Sequence, residues 1–193
     1  MKKLHQGFTL IELLTAKQQA RNRSAFTLIE LLIVIAILGV LATVVIVAVN
    51  PLEQLAKTRD AGRISAVTQI GHNLAAYATN HDGTFPDESA TWLTDMVTAG
   101  TISSVPPLVT YGDPTILQCA TNPENQYCYS SDGNIPPAAV LVSTRLESKS
   151  NNNICTTPGD FAWEVYDTVN SRGGLVCSAT EPVFDPAGQT FAN

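Results

Sequence analysis

The chain has 193 residues, 45% hydrophobic and 15% charged, with 11 basic side chains against 17 acidic for a net charge of −6. Charged residues are scarce beside the ~25% usual in soluble domains. No basic patch exists beyond position 25, which disfavours a nucleic-acid binder. The apolar excess is concentrated in one run, Phe26 to Val49, too long and continuous to suit a wholly soluble enzyme.

Residues 1–25 carry Lys2, Lys3, Lys17, Arg21 and Arg23 against Glu12, a net of +4. They read as a basic leader. The run from Phe26 to Val49 follows, broken only by Glu30 and two threonines. As a helix it would extend about 36 Å at ~1.5 Å per residue, enough for a hydrocarbon core of ~30 Å. A secretory signal would have a shorter core and a small-x-small cleavage site, which Val47-Ala48-Val49-Asn50 matches poorly. The segment therefore reads as one retained by the mature protein. From His81 onward three basic residues face thirteen carboxylates, a net of −10. Basic flank, apolar span and acidic domain fit the positive-inside rule, with a cytoplasmic N-terminus and an exported C-terminal part in a single pass.

Beyond Pro51, which should bend the helix at the membrane exit, the helical pattern continues. Leu52, Leu55, Ala56, Ile64, Val67, Ile70, Gly71, Leu74, Tyr77 and Ala78 form one stripe, while Lys57, Arg59, Asp60, Arg63 and Asn73 fall largely elsewhere. Asn80-His81-Asp82-Gly83 is a stop signal. The two patterns together predict one long helix over positions 26–79. Asp87 is placed to cap a short helix over Glu88 to Ala99, with Trp92, Leu93, Met96 and Val97 on its core face. Short strand candidates follow at Leu108–Tyr111, Ile116–Cys119, Gln126–Ser130, Ala138–Arg145 and Phe161–Tyr166, with a loop at residues 148–153. The expected fold is α+β, a long N-terminal helix packed on a small antiparallel sheet. Four segments are expected: leader 1–25, apolar helix 26–49, amphipathic continuation 50–80 and exported globular domain 81–193.

Cys119, Cys128, Cys155 and Cys177 all lie in the acidic part. With no CxxC pair and no histidine at ligand spacing, they read as two disulfides. Three pairings are open; the sequential one, Cys119–Cys128 with Cys155–Cys177, closes the shortest loops and is adopted. His72 and His81 read as surface polar residues. No GxSxG, Walker A, HExxH or GxGxxG motif is present, so no catalytic residue is assigned. The carboxylates read mainly as an acidic solvated face.

A carboxylate in an apolar run costs about 2.5–3.5 kcal/mol at a span's centre and less near its end, so Glu30 needs a partner or a task. Its setting is Ala25-Phe26-Thr27-Leu28-Ile29-Glu30-Leu31-Leu32. With the basic leader before it and the apolar helix after it, this octet resembles the N-terminal signature of type IV pilins and type II secretion pseudopilins. The octet occurs twice: the upstream Gly7-Phe8-Thr9-Leu10-Ile11-Glu12-Leu13-Leu14 differs from it only in having Gly7 where the second copy has Ala25. The first copy thus has the Gly usual before the cut, but its apolar run ends at Leu14 and meets Lys17, Arg21 and Arg23. The second lacks that Gly, yet has the full helix downstream, and cleavage between Ala25 and Phe26 is preferred over Gly7 and Phe8.

The resemblance implies a precursor cut by a membrane-embedded prepilin peptidase and N-methylated on Phe26. An inner-membrane platform and its ATPase would then polymerise it with copies of itself and other pilins or pseudopilins. Glu30 would pair with the terminal amine of a neighbouring subunit. The subunit would sit in the cytoplasmic membrane, then in an extracellular or envelope-spanning filament. No cofactor and no metal site are expected. Calcium, as in the C-terminal loops of secretion pseudopilins, would have to come from Asp160, Glu164, Asp167 and Asp185, whose spacing does not follow an EF-hand loop. The expected function is a non-catalytic pilus-like filament subunit. A secretion pseudopilin is the alternative, and a monomeric membrane-anchored binding ectodomain or enzyme is a second.

Overall fold

The structure is a computed structural model that describes residues 26–116 and 119–192. These form two compact units that meet in sequence at Val49 and Asn50. The leader, with both Gly7-Phe8 and Ala25, lies outside the described residues, as do Leu117 and Gln118 of the expected strand at Ile116–Cys119.

In the first unit, helix α1 (Leu28–Val49) has 22 residues, every one of them exposed. It is long and apolar enough to cross a membrane. No covered face exists to give it a stripe, in accord with its apolar residues lying all round.

The second unit starts with helix α2 (Pro51–Asn80). The single helix expected over 26–79 is therefore two, and the reason is local. Pro51 lacks the N–H that would bond back into the preceding turn, and its ring disfavours helical geometry at the residue before it. Asn50 takes the left-handed conformation instead, at φ 43° and ψ 77°, which asparagine tolerates better than most residues. Its side-chain oxygen then accepts the Glu53 N–H at 3.4 Å and caps α2. The helix ends where expected: the Gly83 N–H, at φ 82°, reaches the Ala78 carbonyl at 2.8 Å.

A short helix α3 (Trp92–Thr98) starts later than expected, after Thr91 rather than Asp87. Glu124 supplies its cap, accepting the Leu93 and Thr94 N–H groups at 2.5 and 3.1 Å. Four strands, β1 (Cys128–Ser131), β2 (Val140–Arg145), β3 (Phe161–Asp167) and β4 (Arg172–Ser178), form an antiparallel meander in the order β1-β2-β3-β4. A four-residue helix, α4 (Lys149–Asn152), replaces part of the loop expected at 148–153. Residues 108–111 form no strand, although the Val109 N–H bonds the Asn125 carbonyl at 3.0 Å.

The sheet has two covered faces. On one, Val140, Val142, Tyr129 and Tyr166 pack with Val67, Ile70 and Leu74 of α2 and with Trp92 and Met96 of α3. On the other, Leu141, Trp163, Val165 and Val176 pack with Cys128, Phe184 and Phe191. The chain after β4 thus serves as the second cover. Trp163 and Tyr166 are both core residues, but three positions apart on a strand they serve opposite faces. Two disulfides, Cys119–Cys128 and Cys155–Cys177, have the sequential pairing. The architecture is the pilin-like α+β layout.

Helix and sheet approach closely at Gly71, where an added Cβ would lie 2.1 Å from the Tyr166 ring. Overpacking of that size forces backbone or side-chain shifts costing about 1–3 kcal/mol. Gly71→Ala is therefore expected to lower the thermal midpoint of the folded chain by several degrees, whereas Gly62→Ala, on the open face of the same helix, leaves it unchanged or raises it.

Candidate processing and assembly segment

Phe26 and Thr27 precede the first turn of α1, and Glu30 lies in that turn. The Thr27 N–H and hydroxyl donate to Glu30 Oε2 at 2.9 and 2.7 Å, and the Glu30 N–H donates to Thr27 Oγ1 at 3.3 Å. Thr-x-x-Glu with these reciprocal bonds is a capping box. It explains locally why a carboxylate is tolerable at the head of an apolar helix: it satisfies an end N–H and faces the positive end of the helix dipole. Oε1 makes no hydrogen bond with any described residue, so one carboxylate oxygen stays open to an incoming cation. Phe26 is 82% exposed.

In the second unit, the charged groups of α2 are organised around Glu147. Arg59 pairs with it through both Nε and Nη2. The Arg63 guanidinium donates to Glu147 at 2.8 Å and to Asp60 at 2.6 Å, with all three side chains buried. Asp60 in turn accepts the Glu147 and Ser148 N–H groups at 2.9 and 2.8 Å. Burial raises the Glu147 pKa, but bonds from Arg59, Arg63 and the Gly112 N–H more than offset this and hold it at about 2. Asp60 and Arg63 thus belong to the buried stripe of α2, contrary to their expected place off it. Leu52 and Leu55, expected in the stripe, are exposed instead.

The acidic residues are not simply a solvated face. Glu53 accepts the Lys149 and Ser150 N–H groups, both at 3.1 Å. Glu181 accepts those of Ala120 and Thr121 at 2.6 and 3.2 Å. Buried Asp167 accepts those of Val169 and Gln189, both at 2.9 Å. The four calcium candidates do not converge. Asp167 is spent on these bonds, Asp185 accepts the Ala187 N–H, and Glu164 shares the α2-facing side of β3 with Tyr166. Among the described residues no three His, Cys, Asp or Glu side chains form a metal-binding group. His72 is exposed, and His81 stacks on Tyr77 with ring centroids 3.8 Å apart.

Against this geometry, residues 20–46 match the model of the prokaryotic N-terminal methylation motif. That motif is typical of type IV pilins and type II secretion pseudopilins, and together with the fold it defines a prepilin-like protein. Proteins of this kind are generally non-catalytic. The motif implies processing by prepilin peptidase and, with the apolar helix, suggests a membrane-anchored prepilin. No curated protein and no solved structure matched the chain.

Glu164 is only 5% exposed and has no hydrogen-bond partner among the described residues; burial pushes its pKa up to about 7. Because this lies above the unfolded value near 4.5, the folded state holds the proton more tightly. Stability is fully present below pH 4.5 and falls as pH rises to about 7, by on the order of 2–3 kcal/mol. Glu147 acts in the opposite sense: its contribution is present above the ordinary 4.5 and lost as pH falls towards 2. Urea unfolding of Glu164→Gln is expected to show a clear gain over wild type at pH 8 and a much smaller one at pH 4.5. Equal gains at both pH values would contradict the buried-acid assignment.

Proposed function

We propose that the protein is a non-catalytic structural subunit of a type IV pilus-like filament. Its precursor is cut between Ala25 and Phe26 by a prepilin peptidase and methylated on the new amine of Phe26. It is then polymerised through α1 by an inner-membrane platform and its ATPase. The observation carrying this reading is the methylation motif over residues 20–46, with Glu30 in a capping box at the head of a wholly exposed apolar helix. Such a helix requires lipid before assembly and copies of itself afterwards.

The four segments keep their roles in this reading: leader 1–25, span 26–49, amphipathic helix 50–80 and exported domain 81–193. Two disulfides among the described residues favour an oxidising compartment for that domain, hence a cytoplasmic N-terminus. The open oxygen of Glu30 suits the terminal amine of a neighbouring subunit, because a paired charge is tolerated in an apolar environment where a solitary one is not. Secretion pseudopilins share the same motif, and filament length by electron microscopy separates the two roles.

Intact-mass and N-terminal peptide analysis of the protein from its native envelope is expected to give a chain starting at N-methylated Phe26. A start at Phe8 would keep prepilin processing but remove Glu30 from its assembly role. An uncut chain would overturn the reading in favour of an anchored ectodomain. Glu30→Ala is expected to leave the soluble part folded, with both disulfides formed, while reducing incorporation into filaments at least tenfold.

A further inference from the structure

Within the second unit a cavity of about 640 Å³ opens beside the first turns of α2, and every residue lining it belongs to that unit. Arg145, the last residue of β2, is 7% exposed. Its guanidinium makes no hydrogen bond or ion pair with any described residue, and its Nε is buried without a partner. It lies 3.6 Å over the Phe161 ring, which holds it in place but leaves its N–H groups open. A buried guanidinium left with open donors is costly unless an acceptor completes it.

What Arg145 lacks is an acceptor in contact, not a counter-charge. Arg59, Arg145 and Lys149 share the lining with Glu53, Asp113, Glu147 and Asp160, a net charge of −1. Of these, Arg59 and Glu147 are paired with each other, and Glu53 holds two main-chain N–H groups. Asp113 accepts the Thr115 N–H and hydroxyl on Oδ1, while its Oδ2 has no partner among the described residues. Its negative charge favours the Arg145 guanidinium from beyond ion-pair distance. Asp160 and the Lys149 ammonium are also unpaired among the described residues. The open groups are therefore two cations and two carboxylates, which balance. An added anion gains no net attraction, and an added cation meets Arg145.

The ligand must then be uncharged and must both donate and accept. Arg145 and Lys149 only donate, whereas ionised Asp113 and Asp160 only accept. A hydroxyl does both, so one hydroxyl can accept from the guanidinium while it donates to a carboxylate. A sugar ring carries such hydroxyls on adjacent carbons, and its C–H faces suit Leu52, Leu55 and Ile116 of the same lining. A peptide main chain has only one donor per residue, and each is a separate group from its acceptor. The volume lies within the roughly 300–1,000 Å³ of sites for drug-sized ligands, so it accommodates more than one ring.

We infer that this cavity binds an uncharged oligosaccharide, with Arg145 donating to its oxygens and Asp113 and Asp160 accepting from its hydroxyls. The site does not depend on the filament reading, because the second unit supplies all of it.

The full chain in a sugar-free nonionic detergent is titrated with uncharged trisaccharides of glucose, galactose, mannose and N-acetylglucosamine, with binding read by saturation-transfer NMR. Sialyllactose is the anionic comparison and end-capped trialanine the peptide one. Wild type is expected to bind at least one uncharged trisaccharide saturably, and at least tenfold tighter than either comparison. Arg145→Met should weaken that binding at least tenfold. Asp160→Ala, at a half-buried position, should weaken it at least threefold, so the idea remains testable if Arg145→Met misfolds. Binding of none of the uncharged trisaccharides, equal or tighter binding of sialyllactose or trialanine, or unchanged affinity in either folded variant would each overturn the assignment.

Discussion

The globular unit depends on a buried charge cluster. Arg63 lies inside the stripe that α2 turns towards the sheet, and it survives there because Asp60 and Glu147 both accept from it. The same two carboxylates bind the main chain as well: Asp60 takes the N–H groups of Glu147 and Ser148, and Glu147 takes that of Gly112. One cluster thus fixes α2, the corner after β2 and the loop at Gly112. Removing a single partner would leave a buried charge uncompensated, which costs more than the intact cluster contributes. Its value lies in fixing which corner meets which turn of the helix.

That arrangement is the strongest instance of a wider habit. The unit is rich in irregular chain, whose N–H groups have no ladder to join and must find other acceptors. Glu53, Glu124, Glu181 and Asp167 supply them, each reaching segments that are otherwise connected weakly. A carboxylate suits the task because its two oxygens can hold consecutive N–H groups in charge-assisted bonds. The acidic composition of the globular unit is therefore partly architectural. The disulfides act on the same loops, since Cys119 lies beside the segment held by Glu181, and Cys155 follows α4, whose start Glu53 holds.

How far the sequence predicts this structure depends on whether a residue's role matches its average behaviour. The apolar run, the stop after Asn80, strands β1 to β3 and the disulfides were legible because Leu, Val, Gly and Cys there act as usual. Asp60 and Arg63 were not, since charged residues are read as surface. The clue was their spacing: Ala56, Asp60, Arg63 and Val67 step by four, three and four, continuing the buried face. Strand β4 was missed because Gly173-Gly174 reads as a turn. In the fold those glycines leave space for rings: an added Cβ would meet Tyr166 at 3.4 Å and Phe191 at 2.9 Å respectively. Arg145 was hidden for a different reason, since no pattern on one strand reveals which partners a long side chain lacks.

The same logic bears on Glu30. In the globular unit, Glu53, Asp60 and Asp167 accept hydrogen bonds on both oxygens and serve as fixed structure. At the head of α1 the capping box engages only Oε2, through Thr27, and Oε1 has no partner among the described residues. The local bonds relieve part of the cost of holding a carboxylate among apolar residues while leaving it able to accept one more strong donor. Thr9-x-x-Glu12 in the upstream octet has the same spacing, so a capping box by itself cannot distinguish the two copies. What separates them is the chain that follows. In sequence Glu12 is followed by Lys17, Arg21 and Arg23, whereas after Glu30 an unbroken apolar helix extends far enough to cross a bilayer.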